Sequence, residues 1–346
     1  MTERETKPDL EDLDRHPVAP NAAEQERIQV IDVGALLRDP ESAAAAEAID
    51  GIAAACRTCG FFQVINHGIE PGTISEVWRQ THAFFALPTQ HKLAVQRSRE
   101  NPWGFNNNEL TKNQRDKKEV FDFTRENYDP IYARHNRWPT GLSGFQSTMT
   151  EYLESCAELS LKLLRGFCLG LDLPADYLAP QFQDNHTGFV RLNYYPVHDP
   201  MAGLDLEKQP VADLGIHHHT DAGALTVLLQ DEFEGLQVYR NGYWHDVPVI
   251  PGALVINTGD MMQVWSNDTY RAAIHRVRAM HENARYSIPF FFNPAADCSV
   301  SPLPTMVEAA GEGRYRPIVW GDYRGKRSDG DYADYGDEVQ IAQYRT

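Results

Sequence analysis

The order of apolar and polar positions divides the chain into two textures. In the first, apolar residues repeat with the pitch of a helix. Residues 41–57 are Ala-rich, with Ile49, Ile52, Ala53 and Cys56 at helical spacing and Gly60 as a stop. Ile74, Val77, Trp78, Thr81, Phe84 and Phe85 form one face of a second helix, ended by Pro88. A third helix is predicted over 146–171, with a stripe of Met149, Leu153, Cys156, Leu159, Leu163, Phe167 and Leu171. Residues 28–33 and 61–65 read as short strands, and 99–145 as loop-rich. After Pro174 the period changes. Strands are predicted at 189–195, 225–229, 236–239, 243–247, 253–256, 261–266, 273–278 and 285–292. The clearest hairpin sets 236–239 against 243–247 around Asn241-Gly242, a pair suited to a type I′ turn. Many short strands at this spacing predict a sandwich or barrel, with a jelly roll as the leading candidate.

The same pattern suggests four segments. Residues 1–27 read as a charged, mobile tail, and 28–180 as a helix-rich module packed on the core. Residues 181–300 read as the jelly-roll core, the segment in which the candidate chemistry falls. Residues 301–346, rich in Gly, Asp, Tyr and Arg, form a C-terminal cover or lid to which Tyr332 and Tyr335 are assigned by composition.

Composition narrows the class. With 42% hydrophobic and 10% aromatic residues in 346, the chain can build a sizeable core. A net charge of −17 argues against nucleic acid or an anionic membrane as partner, since both attract Lys/Arg patches. It says little about a small anionic ligand. There is no secretory h-region and no run of about 18 apolar residues. Five cysteines do not make a disulfide framework, so a reducing cytoplasm is the expected location. Cys56-Arg57-Thr58-Cys59 reads as a helix end rather than a redox pair, and His67 as a turn histidine bonded to backbone. The residues leave the oligomeric state open, and a monomer and a weak dimer both fit.

The candidate chemistry lies between residues 217 and 287. Of the triplet His217, His218, His219, only His219 has an aspartate two residues on, Asp221. His275 follows 54 residues later, then Arg285 and Ser287. Two imidazoles and one carboxylate on one side of a metal leave the other side open, the facial-triad pattern of non-haem Fe(II) oxygenases. Strand alternation puts Arg191, Asn193 and Tyr195 on one face of 188–195, and Arg285, Ser287 and Phe291 on one face of 285–292. An Arg fork can grip a distal carboxylate, with Ser287 and Tyr195 as added donors. A diacid that chelates iron at its other end is called for, and 2-oxoglutarate fits.

At these residues the chain resembles the isopenicillin N synthase-like group of Fe(II)/2-oxoglutarate dioxygenases. The resemblance rests on CGFFQVINHGI (59–69), RLNYYP (191–196), HTDAGALTVLLQD (219–231), GLQV (235–238), NTGD (257–260), SNDTYRAAIHRV (266–277) and RYSIPFF (285–291). GDY (321–323) and YADYGDEVQI (332–341) are similar to microbial members. The resemblance implies a mainly β protein with flanking helices around a distorted jelly roll, the double-stranded β-helix. It makes His219, Asp221 and His275 the iron ligands. It sets Arg285, Ser287 and Tyr195 on the far carboxylate of 2-oxoglutarate and Asn193 near its chelating end. By position, Arg191, Phe121, Phe123 and Phe291 border a small-molecule substrate. Arg191 in a structural salt bridge, and Phe121 and Phe123 in the core, are the alternatives.

The implied reaction uses O2 to oxidise an unactivated C–H, by hydroxylation, desaturation or ring closure, with release of succinate and CO2. Two other readings stand beside it: an oxidase of the same fold that does not use 2-oxoglutarate, and a metal-binding jelly roll without turnover.

Overall fold

The computed structural model describes residues 13–19, 28–111, 114–125, 135–182, 185–199, 201, 214–331 and 339–346. Among them, twelve strands form the two principal sheets: β1 (Val30–Asp32), β2 (Phe61–Ile65), β3 (Gly104–Asn106), β4 (Glu119–Thr124), β5 (Phe189–Tyr195), β6 (Leu214–His219), β7 (Leu225–Gln230), β8 (Leu236–Arg240), β9 (Tyr243–Asp246), β10 (Leu254–Thr258), β11 (His275–Arg278) and β12 (Arg285–Phe292). The larger sheet has the order β1-β2-β10-β7-β12-β5-β4-β3, and the smaller β9-β8-β11-β6. Pairing in both is antiparallel except for β1 on β2.

Alternation along the strands assigns the layers. Tyr195, Leu228 and Val255 of the larger sheet join Leu236, Val238 and Val277 of the smaller in one buried cluster between the sheets. The intervening residues Leu192, Val227, Leu229, Ile288 and Phe290 point the other way. They join the apolar stripe of the long helix Phe145–Leu169, which includes Met149, Leu153 and Cys156. Each fully buried Leu or Phe there contributes roughly 1.5–3 kcal/mol relative to exposure. The larger sheet is therefore apolar beneath the helices and mixed on its inner face, where polar groups need partners.

The first strands after residue 28 join the same sheet as β7 and β12, so the boundary at 180/181 divides the sequence but not the sheet. The helices Ala46–Thr58 and Pro71–Phe85 form where periodicity predicts them. Gly60, at φ 68°, ends the first of these; a Cβ there would come within 2.1 Å of the Arg271 carbonyl oxygen. Asn241 and Gly242 both take positive φ, as a type I′ hairpin turn demands.

Three expectations need correction. Residues 261–266 are not a strand but lie in the helix Asp260–Trp265 and its end. All six residues of that helix are buried, so no polar face marks its period. The C-terminal segment, whose Gly, Asp, Tyr and Arg content reads as ordered loops or a cover, is partly helical: Trp320–Asp331 is a helix, with buried Trp320, Tyr323 and Arg327 at helical spacing. Within the expected tail, residues 13–19 are docked. Leu13 is buried and its carbonyl accepts the Trp244 indole N–H at 2.8 Å, while Ala19 N–H donates to the Trp244 carbonyl at 2.9 Å. The rest of the expected tail, and Tyr332 and Tyr335, lie outside the described residues. No helix among the described residues is long and apolar enough to cross a membrane.

Candidate active site

His219 ends β6 and His275 begins β11, and the two are register partners in the smaller sheet. Their ring centroids are 4.3 Å apart. Asp221 lies just beyond β6. Its Oδ1 is 3.8 Å from His219 Nε2 and 3.7 Å from His275 Nε2. Among the described residues, these three form the one group of His, Cys, Asp or Glu side chains close enough to hold a metal.

Each side chain is aimed by its second polar atom. Nδ1 of His219 is 2.8 Å from the His217 carbonyl, and Nδ1 of His275 is 3.0 Å from the Ala273 carbonyl. Those carbonyls select the tautomer with the proton on Nδ1, leaving the Nε2 lone pairs directed at the shared space. Asp221 Oδ2 accepts from Asn257 Nδ2 at 2.8 Å and from the Thr226 hydroxyl, which leaves Oδ1 for the same space. Burial, then the neighbouring His275 ring, push the His219 imidazolium well below its ordinary range. The neutral ring is the ligand form. Three inward donors on one side suit a divalent metal with open coordination positions opposite.

A second polar group occupies the paired strands β5 and β12. Arg285 is the register partner of Tyr195, and Ser287 of Asn193. All four are buried. Arg285 Nε donates to the Phe233 carbonyl at 3.2 Å and Nη2 to Gln230 Oε1 at 3.0 Å. Asn193 Nδ2 donates to Ser287 Oγ at 3.2 Å. Arg285 Nη1 and Asn193 Oδ1 are buried and have no hydrogen-bond partner among the described residues. A buried guanidinium nitrogen left open is costly unless an anion meets it. A ligand carboxylate fits that position.

Beyond Asn193 the polar face of β5 enters a buried ion-pair cluster. Arg191 donates to both oxygens of Asp122, at 2.7 and 2.8 Å, and to Glu109 Oε2 at 2.8 Å. Lys118 lies 2.6 Å from Glu109 and 2.9 Å from Asp116, and Arg97 bridges Glu109 and Asp122. Arg191 thus occupies the salt bridge that was its alternative reading, with every guanidinium nitrogen engaged. Phe121 and Phe123 require a correction. They sit on the outer face of β4, with Phe121 4.7 Å from Phe84 and Phe123 5.3 Å from Trp138, in the helix layer. The inner face of β4 instead presents Asp122, the partner of Arg191. Phe291 does lie on the inner face of β12, stacked at 4.7 Å on Phe189.

Sequence reasoning assigned no role to Thr226, Asn257, Gln230 or Lys118. The first three fall inside quoted motifs, and strand alternation would have put Thr226 and Gln230 on the inner face.

Comparison with known proteins identifies the family. A model of the 2OG-Fe(II) oxygenase superfamily matches residues 186–294, and one of the N-terminal region of non-haem dioxygenases in morphine synthesis matches 28–141. 1-Aminocyclopropane-1-carboxylate oxidase 5 of Arabidopsis thaliana is 34% identical over 280 residues, covering 79% of this chain and 86% of that protein. Gibberellin 20 oxidase 4 of the same plant is 32% identical over 305 residues, covering 85% and 77%. Among solved structures, a full-length Neurospora crassa protein in complex with α-KG and thymine aligns with a TM-score of 0.76 at 28% identity, covering 90% of this chain and 98% of that one. JOX2 in complex with 2OG, Fe and JA aligns at 0.75 and 26%, covering 96% and 93%. This chain belongs to the 2OG-Fe(II) oxygenase superfamily and is an iron- and 2-oxoglutarate-dependent oxygenase of small molecules.

Proposed function

We propose that His219, Asp221 and His275 hold Fe(II), and that Arg285, with Ser287 and Tyr195, binds the far carboxylate of 2-oxoglutarate, Asn193 lying near its chelating end. The observation that carries this reading is the open Nη1 of buried Arg285, on the same enclosed sheet faces as three inward-aimed metal donors. With O2, Fe(II) and 2-oxoglutarate supply the oxidising power for an unactivated C–H, releasing succinate and CO2. The chain's part is to fix the donor geometry, orient the diacid through Arg285 and exclude water from the reacting C–H.

For the substrate, Phe291 stacked on Phe189 supplies an aromatic wall, and the Arg191–Asp122 pair a polar one. That combination favours a small molecule with a planar apolar face and hydrogen-bonding edges. Thymine, held by the Neurospora crassa protein, has such a shape. Within the superfamily we assign the chain to the isopenicillin N synthase-like group on RLNYYP, HTDAGALTVLLQD and RYSIPFF, and to its microbial type on GDY and YADYGDEVQI.

The test is a turnover screen with Fe(II), 2-oxoglutarate and a panel of planar heterocycles and aromatic acids, reading succinate. Succinate that appears only with 2-oxoglutarate, and disappears in His219→Ala, is the expected result. Oxygen uptake with a substrate and no 2-oxoglutarate would instead favour the oxidase reading.

A further inference from the structure

The turn that carries Asp221 is gripped from the C-terminal helix. Arg327 is buried, its side chain 3% exposed. Nη2 donates to the carbonyl of Thr220, the residue between His219 and Asp221, at 3.1 Å. Nη1 lies 3.2 Å from Asp260 Oδ2 and 2.7 Å from Gln340 Oε1. Asp260 Oδ2 also accepts the Tyr323 hydroxyl at 2.8 Å. From the other side, the Asp260 backbone N–H donates to the Asp221 carbonyl at 2.8 Å.

Two peptide planes flank the Asp221 Cα. The Thr220 carbonyl belongs to one and the Asp221 carbonyl to the other. Arg327 holds the first and Asp260 holds the second, and the two are ion-paired to each other. The backbone around this aspartate therefore has little freedom to rotate, and its carboxylate leaves it in one direction. Close packing adds to the constraint: a Cβ at Gly259 would lie 2.4 Å from the Gly223 carbonyl oxygen and 2.8 Å from that of Asp221.

We propose that Arg327 is a positioning residue for the metal site, and that the C-terminal helix acts as a buttress of the His219–Asp221 turn. The proposal rests on the reading that His219, Asp221 and His275 hold the metal. Arg327 touches neither metal nor substrate; it acts through Thr220 and Asp260.

Equilibrium binding of Mn(II), in the presence of 2-oxoglutarate and without turnover, tests this at a temperature well below unfolding. Arg327→Lys keeps a charge beside Asp260 but cannot bridge to Thr220 with a planar fork. The double variant R327Q/D260N removes both charges of the buried pair and the Thr220 contact. Both are expected to bind Mn(II) about tenfold more weakly than wild type, the lower end of what outer-shell changes cost. Tyr323→Phe, which removes the hydroxyl's hydrogen bonds to Asp260 and to Arg327 Nη1 but leaves Arg327 Nη2 on Thr220, is expected to bind within about twofold of wild type even where its Tm falls. If the double variant does not fold, Arg327→Lys decides alone. Folded Arg327 variants that bind Mn(II) like wild type overturn the proposal, as does a Tyr323→Phe variant that loses as much affinity as they do. His219→Ala binding Mn(II) like wild type overturns the ligand assignment itself, a separate failure visible in the same titration.

Discussion

Arg285 and Tyr195 stand directly opposite one another across the β12–β5 pair, with the guanidinium carbon 5.3 Å from the tyrosine ring centroid. The ring packs against the fork, while the Phe233 carbonyl and Gln230 take Nε and Nη2. Among the described residues Nη1 has no partner, so the fork presents that nitrogen in one orientation. A lysine would keep the charge and lose that geometry. Arg285→Lys is expected to raise the KM for 2-oxoglutarate by roughly 10- to 100-fold, the worth of a charge-assisted hydrogen bond of about 1.5–3 kcal/mol. The rate at saturating 2-oxoglutarate should change far less. Steady-state kinetics with 2-oxoglutarate varied will tell; an unchanged KM means that the carboxylate is held elsewhere.

The Thr226 hydroxyl and the Asn257 amide share Asp221 Oδ2. Thr226→Val replaces that hydroxyl with a methyl of nearly the same volume, so packing within β7 is preserved. The carboxylate then keeps one of its two donors and can rotate. Metal affinity should fall by about tenfold with little change in Tm. A metal titration beside a thermal melt separates the two effects, and a large drop in Tm with unaltered affinity would contradict this role for Thr226.

Much of this site was legible in the residues because a strand has a period of two. Arg285 with Ser287, and Arg191 with Asn193 and Tyr195, could be put on common faces before any pairing was known. The paired positions then follow from register. His219, Asp221 and His275 were legible from spacing and residue type. Three features were not. The helix Asp260–Trp265 is buried all round, and a short apolar run carries no period to distinguish helix from strand. Phe121 and Phe123 share a face, but which face meets the helices depends on tertiary packing. The helix Trp320–Asp331 was hidden by its Gly, Asp and Arg content, although Trp320, Tyr323 and Arg327 follow helical spacing.

Lys118 is buried between Glu109 and Asp116, at 2.6 and 2.9 Å. Burial works against its charge, yet Asp116 and then Glu109 outweigh burial and hold the ammonium above its ordinary range. Removing one partner of such a cluster leaves uncompensated buried charge, which costs about 3–5 kcal/mol. Lys118→Met is therefore expected to lower stability by that amount in urea unfolding, although methionine fills similar space. The loss should be smaller in K118M/D116N, where the carboxylate that loses its lysine is neutralised as well, while Glu109 keeps Arg191 and Arg97. Equal losses in the single and double variants would mean that shape rather than charge balance dominates here.

His186 makes the pH dependence of the fold testable at one residue. It is buried, and its Nδ1 accepts the Gly188 N–H at 3.2 Å, which requires the neutral ring. Burial, then the charge of Arg125, push its pKa down to about 4. In the unfolded chain the value returns to about 6.5. Between these values the unfolded state binds a proton that the folded state refuses. The associated stability is therefore complete above about pH 6.5 and is lost as pH falls toward about 4, at up to roughly 1.4 kcal/mol per pH unit. His186→Gln keeps a hydrogen-bonding side chain and removes this proton uptake. Carboxylates elsewhere titrate alike in both proteins, so they cancel in the difference. The stability of H186Q relative to wild type, from urea unfolding at a series of pH values, should shift in favour of the variant by about 2–3 kcal/mol between pH 7 and pH 4. A difference that stays constant with pH would show that the His186 ring takes up its proton as readily in the folded chain as in the unfolded one.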